Sequence, residues 1–183
     1  IREKAQGRDV LNLFSYTGGF SVYAAGGGAR RVTSVDIAKA AMARAQDNFR
    51  LNQMDPKAHQ FVVADCYEYL RQQESDGRRF DLVISDPPSL ARNRQQVHAA
   101  RRAYLKLSAL GISRVEAGGI YAGASCTAQI SPEVFRELLG EAAAQVGRRL
   151  QIVHEASHAP DHPVGAGHKE GRYLKFVVGR VLS

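Results

Sequence analysis

Two short segments hold the side chains best suited to covalent chemistry. Asp86-Pro87-Pro88 ends the apolar run Phe80–Ser85, and Ser125-Cys126-Thr127 ends the run Gly119–Ala124. A thiol can add to an electron-poor carbon, and a carboxyl group can hold or move the proton such an addition requires. The prolines remove two backbone donors and keep the chain extended past the strand, which fixes the Asp86 carboxylate where helix would otherwise resume. Taken singly, Asp86 also reads as a strand-terminating turn and Cys126 as a small buried hydrophobe. Position favours chemistry, because the two strand ends are expected side by side on one rim of a sheet.

A second group of residues points to a bound nucleoside. The strand Val10-Leu11-Asn12-Leu13-Phe14 runs into Ser15-Tyr16-Thr17-Gly18-Gly19 and then a helical pattern, a unit that holds a small ligand at the strand's C-terminal edge. The next strand closes on Asp36, about twenty positions after the loop, where a carboxylate can accept hydrogen bonds from a ribose diol. A third ends at Asp65, which can meet an adenine amino group or cap the helix starting near Cys66. The loop is not G-x-G-x-x-G, since Ser15, Tyr16 and Thr17 stand where glycines would admit a pyrophosphate. A cofactor without phosphates is expected, bound by Phe14, Ser15, Tyr16, Thr17, Gly18, Gly19, Asp36, Ile37, Asp65, Cys66 and Asp86.

The elements that must position these residues alternate between β-rich and helical patterns, the signature of βαβ units. Strands are expected at Val10–Phe14, Arg31–Asp36, His59–Ala64, Phe80–Asp86, Gly119–Ala124, Leu150–His154 and Tyr173–Val181. Helices are expected near Phe20–Ala25, Ala38–Leu51, Cys66–Gln73, Gln95–Val115 and Pro132–Val146. The fold class is α/β, Rossmann-like, with a mostly parallel seven-stranded sheet flanked by helices; right-handed crossovers bring the named strand ends to one rim. A length of 183 residues is one domain's worth. The irregular stretch Ser157–Arg172 is long enough to be functional or mobile.

Four acidic or glycine-rich strand ends in this order resemble the class I S-adenosylmethionine-dependent methyltransferases. Over essentially the whole chain, the runs Leu11–Phe20, Ser85–Pro88, Ser125–Thr127, Asp161–Val164 and Glu170–Lys175 are similar to the large-subunit (23S) ribosomal RNA cytosine-5 methyltransferase family. The resemblance implies S-adenosyl-L-methionine as cofactor, 23S rRNA as substrate and Cys126 as nucleophile. Carbon 5 of cytosine is too electron-poor to take a methyl group directly. Thiolate addition at carbon 6 makes it enamine-like, a nearby acid such as Asp86 stabilises charge on the ring, and loss of the carbon-5 proton then expels the thiolate. Cys66, next to the adenine-side Asp65, is expected to be structural and to lie over the cofactor. One departure from the family is Ser89, where lysine is expected in many relatives.

Lys+Arg 25 against Asp+Glu 18 gives a formal net charge of +7, which fits a polyanionic partner. Arg92, Arg94, Arg101, Arg102 and Lys106 lie on and before the helix after Asp-Pro-Pro, where RNA phosphates would pass. Pro87, Pro88, Arg92, Arg94 and, by the resemblance, His162 are the expected substrate contacts. His154 and His158 on one strand would be about 13 Å apart, too far to share an ion, so no metal is expected. Two cysteines and no signal peptide or long apolar run imply a reducing cytoplasm and no membrane. The oligomeric state is left open, a homodimer being one option. The chain opens at Ile1, and the family's N-terminal RNA-binding PUA domain is not in this sequence, so a C-terminal fragment of a longer protein is expected. Three rival readings stand beside this one. In amino-group methylation an aromatic residue should follow Asp-Pro-Pro, where Ser89 and Leu90 stand. A nicotinamide dehydrogenase lacks its glycine fingerprint here, and a non-catalytic RNA-binding module would have no need of Cys126 and Asp86.

Overall fold

A computed structural model describes the chain except Arg92, Lys169, Glu170 and the side chain of Arg94. In chain order the main elements are β1 (Asp9–Leu13), α1 (Gly19–Gly26), β2 (Arg31–Asp36), α2 (Lys39–Leu51), β3 (Gln60–Val63), α3 (Cys66–Ser75), β4 (Phe80–Ser85), α4 (Val97–Ser113), β5 (Val115–Ser125), α5 (Pro132–Gln145), β6 (Arg149–Ala156) and β7 (Lys175–Leu182). They build one seven-stranded sheet in the order β3-β2-β1-β4-β5-β7-β6. Strands β3 to β5 run parallel, while β7 is antiparallel to both β5 and β6. The α/β sheet expected from the sequence is therefore present, and the strand order reverses between β1 and β4, the place where open α/β sheets bind ligands.

Side-chain alternation along β1 divides the core into two layers. Leu11 and Leu13 pack with Tyr104 and Leu107 of α4 and Phe135 and Leu138 of α5. On the other face Val10 packs with Ala24 of α1, Leu82 and Ile84 of β4, and Ile120 and Ala122 of β5. A parallel strand buried on both faces must be apolar throughout, as β4 is at Leu82, Val83 and Ile84.

The largest difference from the sequence expectation lies around Gly118 and Gly119. Helix α4 stops at Ser113, and β5 begins at Val115 instead of Gly119. Val115 pairs with Phe80 and Ile120 with Leu82, so the glycines sit in a bulge inside a longer strand. Gly118 takes φ +79°, and a Cβ on Gly119 would lie 2.9 Å from the carbonyl oxygens of both Asp81 and Glu116. Glycines that read as a break are the condition for the strand to continue. Likewise β1 ends at Leu13 because Phe14 turns to φ 54°, and β6 ends at Ala156, leaving His158 beyond it.

Gly119→Ala must displace main-chain atoms and is expected to cost about 1–3 kcal/mol, read as a lower urea midpoint. An unchanged midpoint would show that the bulge yields without cost.

Candidate active site

The loop after β1 is held residue by residue. Phe14 N donates to Cys66 Sγ (3.2 Å), Ser15 N to the Val35 carbonyl (3.0 Å), Tyr16 N to Asp36 Oδ2 (2.9 Å) and Gly18 N to the Ser15 carbonyl (2.8 Å). Asn48 Nδ2 donates to the Thr17 carbonyl at 2.8 Å. Phe14 and Tyr16 take φ 54° and 47°, strained for non-glycine residues, and Gly18 at φ 80° opens α1. Such strain persists only where surrounding bonds over-determine it, the usual condition of a ligand loop. Asp36 also caps its own turn, Oδ1 accepting from Ala38 N at 2.9 Å. Beside it Ile37 is 71% exposed and Tyr16 67% exposed. Apolar side chains standing open next to a half-buried carboxylate suit a ligand with a flat apolar face and a diol. A Cβ built on Gly19 would meet nothing within 4 Å, so the loop's mouth is open. These residues fit a nucleoside cofactor.

Asp65 is a helix cap, its Oδ1 accepting from Tyr67 N (2.9 Å) and Glu68 N (3.0 Å); the cap uses one carboxylate oxygen. Cys66 is buried, with its S–H directed at the Val35 carbonyl 3.7 Å away. Burial pushes its thiol up to about 12. It supports the loop from beneath and is unsuited to nucleophilic attack.

The other cluster forms where β4 and β5, adjacent and parallel, deliver Asp86 and Cys126 to the same rim. Pro87 is buried and Pro88 exposed. The chain beyond them folds back onto the end of β5 through the fully buried Thr127. Its Oγ1 accepts from Leu90 N (3.0 Å) and bonds with Tyr104 Oη (2.8 Å) and Ser89 Oγ (3.3 Å), while Thr127 N donates to Ser125 Oγ (3.3 Å). Lys175, at the start of β7 and paired with Ser125, donates from Nζ to the Thr127 and Tyr173 carbonyls, both at 2.7 Å. Burial pushes the Asp86 carboxyl above the ordinary carboxylate range. Burial first, then the negative charge of Asp86, push the half-buried Cys126 thiol up; its own backbone amide and Lys175 act in the opposite direction. Lys175 is itself pulled down to about 8 by burial.

The sequence reading named Asp86 and Cys126 but gave no role to Thr127, Tyr104, Lys175 or Asn48. A lysine opening the apolar run Lys175-Phe176-Val177-Val178 was the available signal for Lys175. His162 stands apart in an exposed cluster: its Nε2 bonds with Tyr173 Oη (3.2 Å) and its ring stacks on His158 with centroids 5.5 Å apart. Arg92 lies outside the described residues, as does the side chain of Arg94. Arg101 and Arg102 lie on α4, and Lys106 stands over the Tyr67 ring at 6.0 Å. Among the described residues no three His, Cys, Asp or Glu side chains gather into a metal-binding group, and no helix is long and apolar enough to cross a membrane. A cavity of about 310 Å³ beside the Asp-Pro-Pro segment is walled by Ser89, Leu90, Gln96 and Ala99.

Known proteins resemble this chain in sequence and fold. Residues 1–173 match the model of the S-adenosylmethionine-dependent methyltransferase family. The chain is 46% identical over 173 residues to a "Ribosomal RNA large subunit methyltransferase" of Deinococcus radiodurans, covering 94% of this chain and 42% of that protein. It is 40% identical over 181 residues to a "Ribosomal RNA large subunit methyltransferase I" of Serratia proteamaculans, covering 99% of this chain and 46% of that protein. The chain thus spans less than half the length of these relatives. The crystal structure of SMU.776 complexed with SAH superposes with a TM-score of 0.84 at 31% identity, covering 96% of this chain and 46% of that one. A seven-stranded sheet with its reversal between β1 and β4, a loop without the dinucleotide glycine fingerprint and a family match over nearly the whole chain converge: the chain belongs to the S-adenosylmethionine-dependent methyltransferases, with S-adenosylmethionine as its cofactor.

Proposed function

We propose that residues 1–183 form the methyltransferase domain of a cytoplasmic enzyme that methylates carbon 5 of a cytosine in 23S ribosomal RNA through a covalent Cys126 adduct. The observation that carries this reading is the meeting of Cys126 and Asp86 at neighbouring strand ends, within electrostatic reach of each other. The relatives' names favour ribosomal RNA as the substrate.

In this reading the Phe14–Gly19 loop holds the amino-acid end of the cofactor, Asp36 the ribose diol, Ile37 the adenine face and Asp65 the adenine amino group through the oxygen its cap leaves over. The cofactor supplies an electrophilic methyl group. Cys126 adds as thiolate to carbon 6, forming an S–C bond and moving the ring's electrons to carbon 5, while Asp86 hydrogen-bonds to the ring as charge develops there. After methylation a base takes the carbon-5 proton, the double bond re-forms and the thiolate leaves. Burial raises the Asp86 carboxyl, which favours the protonated form that an acid in this step uses. Pro87 and Pro88 shape the wall against which the base lies. Arg101 and Arg102, with Arg92 and Arg94, offer phosphate contacts, and His162, outside the corner, is assigned to the substrate by the family resemblance alone. Leu90, which follows Ser89, is tied by its N–H to Thr127 and gives no aromatic platform, which disfavours amino-group methylation.

Asp36→Ala is expected to weaken S-adenosylmethionine binding by about 1.5–3 kcal/mol, the scale of charge-assisted hydrogen bonds. Calorimetry giving unchanged affinity in the folded variant removes Asp36 from the site. The two thiols should also differ in a brief iodoacetamide pulse at pH 8. At a pKa of about 12, Cys66 is ionised in only about one molecule in ten thousand, so peptide mass spectrometry should find the label on Cys126. Label on Cys66 in the native protein would contradict the burial described here. The decisive test uses RNA carrying 5-fluorocytidine, since fluorine cannot be removed as a proton is and the adduct cannot collapse. A covalent complex should form with protein and cofactor. Cys126→Ala should abolish adduct and turnover, Cys66→Ala should keep both, and Asp86→Asn should slow methylation by about a hundredfold. Near wild-type turnover by Cys126→Ala would end the carbon-5 reading in favour of amino-group methylation.

A further inference from the structure

The corner that holds Cys126 contains one buried cation for which the scheme above has no use. Lys175 is only 4% exposed. Its ammonium carries three donor hydrogens and spends two bonds on carbonyl oxygens, those of Thr127 and Tyr173, both at 2.7 Å. Neutral carbonyls orient an ammonium but do not balance its charge, and among the described residues no carboxylate pairs with it. A buried unpaired charge is costly unless something opposite is near. Glu155, the acidic residue in the wall of the neighbouring 370 Å³ cavity, is occupied by Arg136 Nε at 3.5 Å, and Arg172 in the same wall is a further cation. The thiol nearest to Lys175 along the fold is Cys126: the antiparallel register sets Lys175 against Ser125, Nζ reaches the carbonyl of the residue just past Cys126, and the two groups lie within electrostatic reach of each other.

We propose that Lys175 is a positioning residue for the nucleophile, held at two carbonyl oxygens so that its ammonium is the positive charge against which the Cys126 thiolate forms. The thiol gives its proton to solvent base while Lys175 keeps all of its own, so the corner passes from a lone cation to a neutral ion pair. Burial and Asp86 both oppose ionisation of Cys126, and Tyr104, hydrogen-bonded to Thr127, adds no positive charge. Beside the backbone amide of Cys126 itself, Lys175 is the side chain that favours the thiolate. Pulled down to about 8, Lys175 still holds its proton in most molecules at neutral pH, and the charge of Cys126 acts to keep it there. The proposal rests on Cys126 being the nucleophile for its use in catalysis, but the coupling itself exists in the free protein.

Two measurements on the protein without RNA test it. Iodoacetamide alkylation of Cys126, followed by peptide mass spectrometry from pH 6 to 10, should be about tenfold slower at neutral pH in Lys175→Met, with its pH midpoint moved up. Lys175→Arg, which keeps the charge, should restore most of the rate. An unchanged midpoint in folded Lys175→Met overturns the proposal. Because Lys175→Met leaves two carbonyls without their donor, at a cost to folding, the reciprocal effect is read in a milder variant. The NMR titration of Lys175 Nζ should lose its shared step and move to lower pH in Cys126→Ser, since linkage obliges each group to shift the other equally. Identical Lys175 titrations in both proteins overturn the proposal. A coupled pair alongside full turnover by Cys126→Ala would instead overturn the carbon-5 reading and leave the ion pair standing.

Discussion

The corner that joins Asp86 and Cys126 depends on Thr127. Its side chain and main chain together bond to the Asp-Pro-Pro segment at Leu90 and Ser89, to α4 through Tyr104, to its own strand through Ser125 and to β7 through Lys175. Each bond singly contributes about 1 kcal/mol net, but a buried group left without its partner costs about 1–3 kcal/mol. Four elements are thereby committed to one arrangement, because none can shift without stranding a polar group that water does not reach. Parallel pairing of β4 and β5 sets Asp86 and Cys126 on the same rim; Thr127 then holds the two segments at a single separation. Chemistry that needs a thiol and a carboxyl group on one ring requires that rigidity.

The cofactor side is built on the opposite principle, strain held in place. Phe14 and Tyr16 sit in left-handed backbone at a cost of order 1–3 kcal/mol each. The bonds that hold them come from residues read at first sight as ligand contacts: Cys66 takes the Phe14 amide and Asp36 the Tyr16 amide. The carboxylate suited to a ribose therefore also folds the loop that closes beside it. A loop pinned by its neighbours loses little entropy when a ligand arrives, which is what preorganisation contributes to affinity.

The strands, the flanking helices and the rim were legible in the sequence because each rests on a local pattern: an apolar run, a turn and a terminal acidic residue. Asp65 shows where local pattern reaches its limit, since capping and adenine binding call for the same residue at the same place, and only coordinates reveal Oδ1 on two helix amides. The β5 bulge escaped because Gly118 and Gly119 look alike whether they end a strand or bend one. Tyr104, Thr127 and Lys175 escaped for a different reason. They lie 23 and 48 residues apart along the chain, and no periodicity links a helix hydroxyl, a strand-end threonine and a lysine on the antiparallel strand.

Burial acts on Asp86, Cys126 and Lys175 in the same sense, raising the first two and lowering the third, each toward its uncharged form. A pocket that resists every isolated charge still accepts a pair of opposite ones, because their attraction grows in the low dielectric that penalises them singly. The arginines of α4 operate under other physics. They face solvent, where attraction to phosphate is long-ranged, weak per contact and screened by salt. Attraction of a polyanion and ionisation of the thiol are therefore separate functions of separate charges, and ionic strength acts on the first while leaving the buried pair largely untouched.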